Sequence, residues 1–310
     1  MAPISKIDST QNAIEIFTMA LLSFFGTSFG VAGIHVVQKN SYLKGLVKHY
    51  LLLDLIALTM ASFGHLIWGL PCCLWNLNEL LPFVNRLVGN IVYASMTMGY
   101  NARLFLGINR LLAIAFEGKY FKMFESTRLL QYAIMISYPL VVLALLFLPS
   151  CGVTFTPNGI NHFGFQAECG VRWLILILVS SFKATNWGFA SYFFMPLIVI
   201  FDSFVFFLMR RRYRNFQKEQ KHQANQTKAR DLRREYKLAL QMGTNAVAML
   251  CAISSKFAKV LLVDAFSYWF ASTAFLLLTC LLSNISYALL LRDSTSKKTE
   301  KKTISIGANS

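Results

Sequence analysis

Among the ionisable residues inside the apolar blocks of this chain, Asp54 within Leu51-Leu-Leu-Asp54-Leu55, Arg103 and Asp202 could share one depth. A charge in such surroundings is expensive unless it is paired, and by default it marks function. The chemistry open to this set is ion pairing, relay of a proton or an ion, or presentation of a fixed charge to a ligand. Arg103 precedes Arg110 by seven residues, so it lies about 10 Å up the same helix on nearly the same face. Asp54 lies eight residues into its block, at a similar depth. The spacing predicts a buried Asp54–Arg103 pair. Asp202, also eight residues from a block edge, is the competing partner, with water and lipid phosphate as the other options. Additive effects of Asp54→Asn and Arg103→Ala would sink the first pairing.

The elements that must position these residues are long apolar blocks. Hydrophobic residues make up 55% of the 310-residue chain and charged ones only 14%, where a soluble domain carries about 25%. Blocks long enough to span a bilayer lie roughly at 13–37, 46–70, 86–114, 129–149, 188–209, 237–262 and 267–291. Residues 171–182 form a shorter block of 12. The segment Arg210–Lys237 holds eleven basic residues against three acids. Together with the clusters near 39–48, 110–128 and 292–302, it accounts for 23 of the 30 Lys and Arg residues. All 23 share one side only if the chain crosses seven times and 171–182 does not cross. The positive-inside rule then predicts an all-α, seven-transmembrane bundle, N-terminus outside and C-terminus cytoplasmic. Residues 1–291 form that domain, and the Ser/Thr/Lys-rich stretch 292–310 reads as a disordered cytoplasmic tail.

The net charge of +16 follows from this topology, so nucleic acid is not a predicted partner. Anionic membrane lipid is one, at the basic loop 210–237. The six cysteines form no CxxC pair and no metal-spaced cluster. No phosphate loop, dinucleotide fingerprint, zincin motif or nucleophile elbow is present, so neither a cofactor nor an enzymatic activity is predicted.

The inner end of the third block reads Gly107-Ile-Asn109-Arg110-Leu-Leu-Ala113-Ile114-Ala-Phe-Glu117-Gly-Lys119-Tyr120. It resembles the rhodopsin-like receptor pattern Asp-Arg-Tyr-Leu-Ala-Ile-x-x-Pro-Leu-(Lys/Arg)-Tyr, matching at Arg110, Leu112-Ala-Ile114, Lys119 and Tyr120. Asn-Arg followed by Lys-Tyr, with Arg233-Arg234-Glu235 leading into the sixth block, is similar to nematode serpentine chemoreceptors, most nearly class x. The resemblance implies that an external small-molecule or peptide cue binds within the bundle or under the 150–187 loop. It implies activation of a heterotrimeric G protein through Asn109, Arg110, Lys119 and Tyr120. It also implies a plasma-membrane location, in a sensory neuron cilium. Asn109 replaces the acid that restrains this Arg in relatives, which leaves open how the resting state is held.

Other positions follow or depart from the pattern. Ser283-Asn284-Ile-Ser-Tyr287 stands where relatives have Asn-Pro-x-x-Tyr, so Ser283, Asn284 and Tyr287 join Asp54, Arg103 and Asp202 as an intramembrane polar network or as ordinary interhelical glue. The sixth block lacks the Trp-Pro element. The usual outer cysteine would fall near Asn85 and is missing. In this topology Cys151 and Cys169 lie in oxidising surroundings, and their bridge would close a 19-residue loop, worth about 3 kcal/mol. Cys72 or Cys73 is the alternative partner. His65, Trp68, Trp75, Trp173 and Trp187 sit near the outer end as an interfacial aromatic belt. The other reading puts Trp68 in a ligand pocket with Lys256 and Lys259. Two further functions stay open: a seven-span transporter or channel using Asp54, Arg103 and Asp202, and a non-signalling receptor-like protein.

Overall fold

The computed structural model describes residues 9–41, 43, 45–115, 124, 126–148, 151–157, 161–165, 195–219, 235–247, 249–250 and 264–291. Their regular structure is helical apart from one hairpin. The long elements are α1 (Ser9–Lys39), α2 (Gly45–Gly64), α5 (Pro82–Ala115), α6 (Arg128–Leu146), α7 (Met195–Glu219), α8 (residues 235–247) and α10 (Phe275–Leu290). A π-helical turn at His65–Gly69 carries α2 into α3 (Leu70–Trp75), and the short α4 (Leu77–Leu80) leads to α5. A second π-turn, Phe270–Ala274, joins α9 (Ala265–Trp269) to α10. Among the described residues, four helical runs are long and apolar enough to cross a membrane: Ser9–Lys39, Gly45–Trp75, Arg128–Leu146 and Phe266–Leu290.

The bundle is built inside out relative to a soluble protein. α1 is apolar all round, so hydropathy does not choose its buried face. Size chooses it: Glu15, Met19, Ser23, Gly26, Gly30, Gly33 and Val37, three or four residues apart, face inward. Phe17, Phe24, Phe25 and Val31 point out. Small residues let helices approach where lipid gives no hydrophobic drive toward protein. α6 and α7 likewise expose Leu129, Leu130, Leu140, Ile200 and Phe207.

α5 is the central element, packed against α2, α6, α7 and the hairpin. It escapes the apolar criterion because of what it carries inward. Asn85, Asn90, Asn101, Arg103 and Asn109 are all buried along it. Each is a polar group that lipid would penalise and that the bundle interior receives.

The hairpin departs from the all-α expectation. Strand β1 (Val153–Thr156) pairs antiparallel with β2 (His162–Phe165), in the register Val153↔Phe165 to Thr156↔His162. Val-Thr-Phe-Thr is β-branched and aromatic throughout, which suits a pleated strand. In the sequence these residues belong to the long loop 150–187. Residues 171–182, the tail 292–310, and Lys119, Tyr120, Cys169, Trp173, Trp187, Lys256 and Lys259 lie outside the described residues.

Candidate functional site

The polar groups fall at three levels. At the centre, Arg103 Nε donates to Asp54 Oδ1 at 2.5 Å, with both side chains almost wholly buried. The Tyr287 hydroxyl donates to the other carboxylate oxygen, Oδ2. One carboxylate therefore ties α2, α5 and α10 together. Gly99 permits the approach: a Cβ there would lie 2.7 Å from the Ala57 Cβ, so a larger residue would push α2 from α5. Arg103 pairs with Asp54 and not with Asp202, which is buried on α7. Asp202 nevertheless lies against α5, with Oδ1 3.6 Å from where a Cβ on Gly107 would stand, one helical turn from Arg103. Asn284 Nδ2 donates to the Gly26 carbonyl at 2.8 Å, joining α10 to α1. Ser283 is buried beside it, and its hydroxyl has no partner among the described residues.

At one end of the bundle, Arg110 Nη1 donates to Glu235 Oε2 at 2.7 Å, bridging α5 to the start of α8. The Arg110 side chain is 12% exposed and that of Glu235 48%. Asn109 is buried beside it. Glu235 supplies the acid that Asn109 does not. In the sequence this glutamate stands inside a basic run, which masks its charge. The Tyr213 and Tyr236 rings stack at 4.6 Å next to the pair and hold α7 against α8.

At the other end, the hairpin is pinned by two asparagines of α5. Asn85 Oδ1 accepts from the Phe155 N–H and from Trp68 Nε1, both at 2.8 Å, and its Nδ2 donates to the Phe155 carbonyl at 3.1 Å. Asn90 Oδ1 accepts from the Val153 N–H at 2.8 Å, and its Nδ2 donates to the Leu146 carbonyl at 3.1 Å. A side-chain amide offers both acceptor and donors, so each Asn can mimic a strand neighbour for β1. Gly89 lies between them, and any Cβ there would collide with the Val153 carbonyl. Asn85 occupies the position where the sequence pattern lacked its cysteine, and it provides a tether of another kind. Neither asparagine carries a charge that would mark this use in the sequence.

Trp68 corrects an expectation. It is 7% exposed, its indole N–H is committed to Asn85, and it packs with Met19, Phe155 and Leu277. It is a core residue, because the π-turn rotates it inward and Asn85 satisfies its polar edge. Trp75, 64% exposed, keeps a surface position. His65 is buried against Phe163, ring centroids 4.8 Å apart. Cys72 and Cys73 are free thiols, which removes them as partners for Cys151, and Cys151 is disulfide-bonded.

A family model described as serpentine type 7TM GPCR chemoreceptor Srx matches residues 21–285. The chain belongs to that family. It is thus a multi-pass membrane chemoreceptor, and the family is one of receptors rather than enzymes. No curated protein matches the chain. The matched region contains Asn85 and the hairpin, the Asp54–Arg103 pair and the Arg110–Glu235 pair, and ends two residues before Tyr287.

Proposed function

We propose that this serpentine chemoreceptor binds an external small-molecule or peptide cue and activates a heterotrimeric G protein at its Arg110 end. The reading takes seven crossings within residues 1–291, the N-terminus and hairpin outside, and the tail 292–310 in the cytoplasm. It places the receptor in the plasma membrane. A Cys151–Cys169 bridge would hold the outer loop. The carrying observation is the Arg110–Glu235 pair. It is a partly exposed contact between α5 and α8. Such a pair contributes little stability, about 0–1 kcal/mol, and separation of the two helix ends would release Arg110 toward a partner. Asn109 leaves Arg110 free of a neighbouring acid on its own helix, so Glu235 is what restrains it. Lys119, Tyr120 and the arginines of 210–214 would flank the docking face and meet anionic lipid.

A transporter using Asp54, Arg103 and Asp202 is the other class. Such proteins build their ion sites from broken helices near mid-membrane. Here α2 and α5 run unbroken through Asp54 and Arg103, which supports the receptor reading.

The test is ligand-independent nucleotide exchange on heterotrimeric G proteins in membranes carrying matched receptor amounts. Glu235→Ala should raise exchange severalfold, and adding Arg110→Ala should return it to or below the wild-type level. Equal exchange from all three would overturn the coupling role of both residues.

A further inference from the structure

The chain leaves α5 at Ala115, a little over one turn past Arg110, and enters α6 at Arg128. Just before α6, Phe124 and Thr127 are held by one buried side chain, Gln131, which is 2% exposed. Its Oε1 accepts from the hydroxyl of Tyr50 on α2. Its Nε2 donates to the Phe124 carbonyl at 2.7 Å and to Thr127 Oγ1 at 2.8 Å. Thr127 in turn donates to the Phe124 carbonyl, through its N–H at 3.2 Å and its hydroxyl at 2.8 Å. Both ends of the Gln131 amide are therefore used, and only an amide offers an acceptor and two donors from one short side chain. A glutamate here could accept from Tyr50 but would bring no N–H to Phe124.

Aromatic rings close the circuit. Tyr50 is fully buried, and its ring lies nearly parallel to that of Phe105 on α5, with centroids 6.2 Å apart. Phe105 meets the Phe124 ring at 6.5 Å. From Tyr50 one path thus runs through Gln131 to the Phe124 backbone, and another through Phe105 to the Phe124 ring. Beside this knot the exposed His49 ring and the Tyr132 hydroxyl share a hydrogen bond, a second tie between α2 and α6. Arg110 accordingly has two unlike flanks. Toward α8 stands its partly exposed ion pair with Glu235. On the side of Phe124 the bonds are uncharged and centred on buried groups, so salt does not screen them. A partner docking at Arg110 need not supply the free energy of ordering the chain on that side.

We infer that Gln131 is a positioning residue for coupling: by fixing the Phe124 carbonyl against α2 and α6, it presents the chain beside Arg110 to the G protein already ordered. The inference rests on the coupling reading above.

The test uses the full-length receptor in lipid nanodiscs. Its basal nucleotide exchange is followed as purified heterotrimer is titrated, which separates KM for the heterotrimer from kcat. Gln131→Met keeps the size and loses the amide, and should raise KM roughly tenfold with kcat unchanged, the loss of one or two ordered groups at a docking face. Tyr50→Phe keeps the ring stack and removes one hydroxyl, and should raise KM about threefold. Hydrogen exchange at the Thr127 amide should quicken in both variants. Glu235→Ala should raise kcat instead, and combined with Gln131→Met should show both changes. If Gln131→Met does not fold, judged by Tm, Tyr50→Phe decides. A fall in kcat at unchanged KM would make Gln131 an ordinary folding residue and overturn the inference. So would unchanged protection at Thr127, or a KM that ignores both substitutions. If KM is indifferent while Glu235→Ala still raises exchange, this inference fails and the coupling reading stands. If folded receptor in every form leaves exchange at the heterotrimer's own rate, the coupling reading fails and takes this inference with it.

Discussion

The two ends of the bundle solve the same problem, fastening α5 to a neighbouring element, by opposite means. At the hairpin end, Asn85 and Asn90 make five hydrogen bonds to β1, Trp68 and the end of α6. Both asparagines are buried and neutral, and four of the five bonds go to backbone groups. At the Arg110 end a single ion pair, one partner of which is half exposed, spans α5 and α8. Burial makes the first set costly to break, since each lost partner leaves a polar group without water. Exposure makes the second cheap to break, since water and salt replace the partner. On the proposed reading this asymmetry would give a fixed frame where the cue arrives and a releasable contact where the response is made. The central Asp54–Arg103–Tyr287 cluster lies between them and holds three helices to one carboxylate.

The sharpest challenge to this division is at the centre. Arg103→Leu leaves the Asp54 carboxylate buried with only Tyr287 as donor. Removing one partner of a buried pair costs about 3–5 kcal/mol, a large share of the stability of most folded proteins. Surface expression and detergent Tm should both collapse. The double variant Asp54→Asn/Arg103→Leu should recover part of the loss, as coupled neighbours do. Tolerance of Arg103→Leu alone would show that the pair is not what holds α2, α5 and α10 together.

How much of this was visible beforehand follows from chemistry. Asp54, Arg103 and Arg110 could be found because a charge inside an apolar block is conspicuous, and helical pitch was enough to propose which pair meets. Asn85 and Asn90 carry no charge, and Asn in a helical block reads as tolerated polarity. Only the backbone of β1 beside them reveals their use. Glu235 was visible as a residue but masked by the basic run around it, because net charge describes a segment and not a contact. Trp68 was misread because position along a block gives depth but not direction, and a π-turn changes direction without leaving a sequence mark. The hairpin was missed since a four-residue strand inside a long loop has too little pattern to stand out.

The second prediction weighs the hairpin end. Asn85→Leu removes three hydrogen bonds and leaves the Phe155 amide and the Trp68 indole without acceptors, for an expected cost of about 2–3 kcal/mol. Amide exchange at Val153 and Phe155 should speed up well before the bundle opens, while basal nucleotide exchange stays near wild type. Unchanged protection of those two amides would mean that β2 and Asn90 hold the strand without Asn85. At the Arg110 end the contrast reverses. Glu235→Gln should lower stability by no more than about 1 kcal/mol while raising basal nucleotide exchange, and added salt should mimic it in the wild type. A Tm loss comparable to that of Asn85→Leu would erase the distinction between the two ends.

The smallest expected effect lies at Asp264, where α9 begins. Its Oδ2 accepts the Ser267 N–H at 2.8 Å, capping the helix. That backbone hydrogen bond, with help from the Ser267 side chain, holds the Asp264 carboxyl below the usual carboxylate range. A depressed carboxyl stabilises the folded state fully at pH values above its unfolded pKa, about 3.9. The stabilisation is lost as pH falls through the lower folded value. Asp264→Ala should therefore cost about 0.5–1 kcal/mol at pH 7, read as a small drop in Tm. The gap between variant and wild type should narrow only below about pH 4. Asp264 faces solvent and sits apart from all three polar levels, so basal nucleotide exchange should not move. A change in exchange from this substitution would show that the entry to α10 takes part in coupling, and the division of labour between the two ends would then have to include a third site.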